Sequence, residues 1–243
     1  MRQGSKVVVL LGLLTGIGAC VRQLALGHAT DWAPLLSPSV AVFAFRVLTI
    51  AMGLAAWFVS QSLIGARGLS DGPIGDAVHD WTARLNGWLT RNPRAANALL
   101  ITTSGFIDLF GLFLLGSALF GPSLRPGIGL LILFVFRQLS QWTCALPKPP
   151  GMIWRHPGFP SALVTYSVAN DFFFSGHTAI ATLGAIEVAK VAPVGLSIAA
   201  AIVALLEAAT VLVLRAHYTM DVFAAVVAAF CAAALAASIC VGF

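Results

Sequence analysis

Six stretches of about 20 mostly apolar residues, the length that crosses a hydrocarbon core, organise this chain. They are Ser39–Ser60, Ala98–Phe120, Gly127–Leu146, Ser175–Val191, Val194–Leu214 and Tyr218–Cys240. In lipid every backbone polar group must be satisfied within the protein, and segments of this length do so as helices. Only 9% of the 243 residues are charged and the mean hydropathy is +0.93, whereas a soluble domain is roughly 25% charged. A soluble enzyme is thereby excluded, and an all-α integral membrane protein with a six-helix transmembrane core is expected. A seventh run, Val7–Leu26, follows Arg2 and Lys6. It reads as an N-terminal helix, with a cleaved signal as the alternative, since Ile17-Gly18-Ala19-Cys20 resembles a lipoprotein cleavage site. With no internal repeat or dividing linker, a single membrane domain is expected: 1–37 as N-terminal helix and loop, 38–243 as core.

The four cysteines, Cys20, Cys144, Cys231 and Cys240, lie in or beside apolar runs without metal-like spacing and read as small packing residues. The net charge of +5 is scattered, which fits a surface beside anionic lipid and gives no footprint for nucleic acid.

Two connections interrupt the apolar pattern. In Gln61–Arg94, Ile74, Val78, Trp81, Leu85, Trp88 and Leu89 recur at helical spacing, with Asp76, Asp80, Arg84 and Arg91 elsewhere on the wheel. This predicts an interfacial amphipathic helix, acting as an anchor or, alternatively, as a lid for entering lipid. Pro147–Asp171 is rich in Pro and Gly, and Pro147, Pro149 and Pro150 stop the preceding helix. Counting spans, the chain leaves the membrane face at Ser175 and returns to it by Leu214. The segments around residues 177 and 217 therefore share one face with the Gln61–Arg94 connection.

That face receives the polar residues with chemistry to offer. His217 and Asp221, four apart at a helix start, share a side. A carboxylate there can accept one imidazole proton, fixing the tautomer and leaving the other nitrogen able to attack phosphorus; a polar helix cap is the plain alternative. Forty residues earlier, Ser175-Gly176-His177-Thr178 reads as a helix start. Ser175 caps it, Gly176 permits close approach, and its free N–H groups suit a phosphate, with His177 beside it as proton donor or acceptor. No third ligand has spacing that suits a metal, and neither metal nor cofactor is expected.

Three blocks give a resemblance. Arg137 with Pro147, in R-x4-W-T-C-A-L-P-K-P, is similar to the R-x4-Y-x3-L-P-x-P block of a branch of the type 2 phosphatidic acid phosphatase superfamily. That branch contains sphingomyelin synthases and plant phosphatidylcholine:diacylglycerol cholinephosphotransferase. Asp171-Phe172-Phe173-Phe174-Ser175-Gly176-His177-Thr178 is close to D-Y-L-Y-S-G-H-T of sphingomyelin synthases, and His217-Tyr218-Thr219-Met220-Asp221 to H-Y-T-I-D. The resemblance covers roughly Arg137–Asp221. It implies His217 as nucleophile, Asp221 as its orienting partner, His177 as acid/base, Arg137 on the phosphate or pinning the loop, and Asp171 assisting His177. The chain departs from it at Ala216, where sphingomyelin synthases carry Glu, and by one extra residue between Pro149 and Gly151-Met152.

The wider superfamily's phosphatase signature is incomplete, with Val211 in place of an arginine six residues before His217 and no K-x6-R-P. A phosphomonoester, carrying nearly two charges, calls for more cationic donors than a diester. The expected activity is accordingly transfer of a phospho-head group (choline, ethanolamine or inositol) from a phospholipid to a lipid alcohol, ceramide or diacylglycerol, through a phosphohistidine. A phosphatase or phospholipase C-like hydrolase using the same histidines is the enzyme rival, and a lipid-binding or scrambling protein the other. The expected partners are the donor, the acceptor and the bilayer, with a homo-oligomer as an open assembly.

Trp142, Trp154, Tyr166 and Phe172–Phe174 offer an aromatic cage for a quaternary ammonium, or ordinary interfacial aromatics. Lys148, Arg155 and His156 offer phosphate contacts, or plain loop solvation. Arg46, Asp108, Glu187 and Glu207 fall inside spans and are expected to face the bundle interior, Arg46 with Asp108 as one pair. The resemblance implies an extracytoplasmic or lumenal site. Arg67, Arg84, Arg91, Arg94, Lys148, Arg155 and Arg215 on the active side, against Arg22, Arg125 and Lys190 on the other, pull toward the cytoplasm. The extracytoplasmic face is the orientation expected.

Overall fold

The computed structural model describes residues 74–144, 146–164, 166 and 172–240, together with positions 8, 9, 12, 15, 55 and 59. The chain divides into two compact units, Met1–Asp71 and Gly72–Phe243. In the first, the six described positions are helical. The spans expected at Val7–Leu26 and Ser39–Ser60, and with them Arg46, otherwise lie outside the described residues.

Among the described residues the second unit is all helix and connection: α1 (Ala77–Trp81), α2 (Ala83–Arg91), α3 (Pro93–Phe120), α4 (Arg125–Thr143), α5 (Gly176–Val191), α6 (Val194–Val213) and α7 (Thr219–Ile239). Pro93 opens α3 where no N–H is needed, and Pro126 does the same for α4. The five long helices coincide with five of the apolar runs. By length and composition α3, α6 and α7 can cross a membrane. The 16 residues of α5 rise only about 24 Å, and α4 ends in a polar stretch, Arg137, Gln138, Ser140 and Gln141.

Helix α5 packs against α3, α6 and α7, and α7 against α4. The core they enclose includes Ile107, Leu114, Leu133, Phe174 and Leu183. Ala225, Ala229, Ala232 and Ala236 form a fully buried small-residue stripe on α7, the kind of surface that lets helices approach closely where lipid offers no hydrophobic drive. The outward surface is apolar as well: Leu112, Leu119, Leu131, Leu205, Phe223 and Phe230 are all exposed. An exposed apolar area of this extent is a face for lipid.

One close approach is demanding. A Cβ on Gly184 of α5 would strike the Phe110 ring of α3. Gly184→Ala is expected to destabilise the protein by about 1–3 kcal/mol, read as a lowered unfolding midpoint in detergent. The Phe110→Leu background should recover part of the loss. A variant as stable as the parent would show that the α3–α5 contact does not set the packing.

Among the described residues, three of the charges expected inside spans are partnered. Glu187 receives Arg125 at 3.1 Å and Lys190 at 2.6 Å, and Thr103 donates to buried Glu207. Asp108 accepts Ser161 Oγ and the Ala162 and Leu163 amides at 2.9–3.0 Å. These bonds pin the 161–164 loop to α3; the pairing expected with Arg46 lies outside the described residues.

Candidate active site

Both histidine motifs meet at one end of the bundle, around a cavity of about 240 Å³. Each is preceded by a non-glycine residue in the left-handed region, Phe174 at φ 84° and Arg215 at φ 53°. These sharp reversals bring the chain off a loop and into α5, and off α6 into α7. Such conformations cost of order 1–3 kcal/mol and persist where the surroundings enforce them. Phe174 is locked by burial in the core. Arg215 is held by donating to Pro150 O at 2.8 Å and His79 O at 3.0 Å.

The motifs are laced to each other. Ser175 N–H donates to Asp221 O at 3.3 Å, and His217 Nδ1 lies 2.7 Å from Phe172 O. A carbonyl can only accept, so Nδ1 carries the hydrogen and, in the neutral ring, Nε2 keeps a free lone pair. The acceptor that fixes the tautomer is therefore Phe172 O, which corrects the expectation that Asp221 would serve. Asp221 Oδ2 stands 3.8 Å from His217 Nδ1, beyond hydrogen-bond range, because it accepts the Tyr218 N–H at 2.8 Å as part of a capping box on α7. Asp221 is fully buried, and its Oδ1 has no hydrogen-bond partner among the described residues. It supplies a negative charge beside the ring.

His177, on the first turn of α5, lines the same cavity as His217. Its ring meets the Trp154 ring edge-on at 5.0 Å, and its buried Nε2 has no hydrogen-bond partner among the described residues. Ser175 caps α5 by accepting the Thr178 N–H. Arg137, from α4, also lines the cavity, and a Cβ added to Gly176 would sit 3.3 Å from its Nε. The glycine is what lets a guanidinium lie against a helix N-terminus. Cation, helix end and two imidazoles thus converge, an arrangement suited to an oxyanion.

Trp154, Phe172, Phe134 and Met152 line the cavity, as does Ala216. Val211 is fully buried in an apolar cluster with Ala216 and Val222. Other expected contributors stand apart. Lys148 and Arg155 are exposed and outside the lining, and Arg155 donates to Asn97 at 2.9 Å. Tyr166 meets the Trp154 ring at a tilt of 36°, with centroids 5.2 Å apart, and bonds Ser104. Asp171 and the side chain of Trp142 lie outside the described residues.

The 74–91 segment contributes more than an anchor. Trp81 and Trp88 are exposed, the apolar face expected of it. Its opposite face buries His79 and Asn86. Asn86 donates to Gly151 O at 3.2 Å and Val213 O at 2.9 Å, and His79 Nε2 lies 2.9 Å from His217 O. Asp76 takes the Thr219 N–H at 2.6 Å and the Thr219 hydroxyl at 2.8 Å. Burial alone would raise the Asp76 carboxyl, but the Thr219 hydrogen bonds and His79 together hold it below its ordinary value. Its grip is therefore complete at neutral pH and fades only as pH falls below the ordinary carboxylate range. Helical spacing revealed the amphipathicity; it gave no sign that His79 and Asn86 reach the loops.

The class defined by these features is a helical membrane protein with a paired-histidine cavity at one end of its bundle. More narrowly, the chain belongs to the AtPDCT1/2 family, whose pattern it matches over residues 76–238. It is 24% identical over 140 residues to phosphatidylcholine:diacylglycerol cholinephosphotransferase 1 of Arabidopsis thaliana. That match takes in 58% of this chain and 45% of the relative, less than half its length. No solved structure matches the chain.

Proposed function

We propose that this protein is a lipid head-group phosphotransferase, moving a phospho-head group from a phospholipid to a lipid alcohol through a phosphohistidine on His217. The observation that carries this is the His217 Nδ1–Phe172 carbonyl contact at 2.7 Å, which leaves Nε2 as the nucleophilic atom. Arg137, His177 and the α5 N-terminus share its cavity.

In the cycle, His217 Nε2 attacks the head-group phosphorus as the P–O bond to the diacylglycerol oxygen breaks, and His177 delivers a proton to that oxygen. The attacked ring becomes a phosphorylated imidazolium, whose charge the Asp221 carboxylate at 3.8 Å offsets. An acceptor alcohol then loses its proton to His177 and attacks phosphorus, regenerating His217. Water is the competing acceptor, and an apolar cavity wall disfavours it.

The proposal extends to the architecture: a single membrane domain with a six-helix core, an N-terminal helix and the interfacial segment, in the type 2 phosphatidic acid phosphatase superfamily. The name of the Arabidopsis relative favours a choline head group and a diacylglycerol acceptor over ceramide. Val211, buried in apolar contact where the phosphatase pattern has arginine, favours a phosphodiester. The extracytoplasmic orientation gains support from the loop cations: Arg155 and Arg215 are engaged by Asn97, Pro150 and His79, so part of the basic excess on that face serves the loops.

The test supplies head-group-labelled phosphatidylcholine and phosphatidylethanolamine with competing diacylglycerol and ceramide in detergent–lipid micelles. Label should reach an acceptor lipid, with an acid-labile phosphoenzyme on the way, and His217→Ala should lose about 10³-fold or more of the rate. Label released to water in a His217-dependent manner would make the protein a hydrolase. Turnover unchanged in His217→Ala would remove the phosphohistidine.

A further inference from the structure

The residues preceding and following His217 are gripped from outside the two histidine motifs. His79 engages the 215–218 segment in three ways: its carbonyl accepts Arg215 Nη2 at 3.0 Å, its Nε2 meets His217 O at 2.9 Å, and its ring lies 5.6 Å from the Tyr218 ring. Asp76 extends the grip to Thr219 with two hydrogen bonds, while its Oδ1 also accepts the His79 N–H at 3.3 Å. Four of the five residues from Arg215 to Thr219 are thus held by two side chains and one carbonyl of a short segment some 140 positions away.

Such a grip answers a mechanical need. Arg215 is left-handed at φ 53°, and a strained turn relaxes unless its surroundings hold it. Relaxation there would rotate the His217 peptide and carry the ring away from Phe172 O. A displacement of about 1 Å at a reacting group can cost about 10²-fold in rate. His79 lies outside the cavity lining, so its influence passes through the His217 backbone.

We propose that α1 is a clamp on the nucleophile and that His79 is a positioning residue, its Nε2–H donating to the His217 carbonyl to hold the attacking ring in register. This rests on the role of His217 given above. The family match opens at Asp76, so it takes in the clamp along with both histidine motifs.

The experiment compares His79→Gln, His79→Asn and His79→Leu with His217→Ala and the parent, using head-group transfer from labelled phosphatidylcholine to diacylglycerol in micelles. A glutamine amide nitrogen reaches the position of Nε2; an asparagine amide nitrogen stops near Nδ1. Expected is a fall in kcat of about 10–10²-fold for Asn and Leu with KM within about threefold, and recovery to within about threefold of the parent for Gln. Gln and Asn remove the same imidazole and add the same amide, so a general folding defect would depress both alike. Equal activity in Gln and Asn, a rise in KM that matches the loss in kcat, or parental turnover in His79→Leu beside an inactive His217→Ala would overturn the clamp alone. Full turnover in His217→Ala would remove the nucleophile itself and the clamp with it.

Discussion

Asp221→Asn is expected to lower head-group turnover by about 10²–10⁴-fold while the protein stays folded. The amide oxygen can still accept the Tyr218 N–H, which Asp221 takes at 2.8 Å, so the capping box on α7 survives. What disappears is the negative charge 3.8 Å from His217 Nδ1. That charge matters little to the neutral ring, whose tautomer Phe172 O fixes at 2.7 Å. It matters once Nε2 bonds phosphorus and the ring becomes cationic beside the buried carboxylate. The loss should therefore fall on kcat, with KM within about threefold, because an interaction made mainly as charge develops supports the chemical step. Asp221→Ala should add a stability loss of about 1 kcal/mol or more from the missing cap. Steady-state transfer and unfolding midpoints measured together separate the two. Parental kcat in the folded Asn variant would show that Asp221 only caps α7.

This division of labour between Phe172 and Asp221 marks where the sequence stops being legible. Side chains at i and i+4 of a helix announce themselves, so His217 and Asp221 could be paired from spacing alone, and the apolar runs placed α3 to α7. A backbone carbonyl has no letter of its own. The acceptor on Nδ1 belongs to Phe172, 45 positions from His217, and is found only after the chain has closed. The same holds for His79 and Asn86. Their place on an amphipathic wheel was readable, but their bonds to residues 213–217 depend on how a surface segment settles on a helix end. Arg155 shows the converse. As a loop cation beside a phosphate-binding motif it suggested a ligand contact, and the fold engages it with Asn97.

Arg137 and Gly176 allow a sharper question, because the geometry makes their effects dependent on each other. Removing a guanidinium aimed at developing phosphoryl charge should cost about 10²–10³-fold in kcat/KM for Arg137→Ala. Arg137→Lys should recover only part, since an ammonium lacks the planar fork. Gly176→Ala adds a single carbon, but that carbon would sit 3.3 Å from Arg137 Nε and 3.8 Å from its Cδ. It should displace the guanidinium and lower kcat/KM by about 10-fold, in line with the cost of a small misplacement. Once Arg137 is alanine there is nothing left to displace, so Gly176→Ala in that background should cost less than about twofold. The four rates of this cycle decide between two accounts of the glycine. If its cost persists without the arginine, Gly176 serves the helix end or the lipid directly. If it vanishes, the glycine serves to seat Arg137, and the cation and helix N-terminus act on the phosphate as one unit.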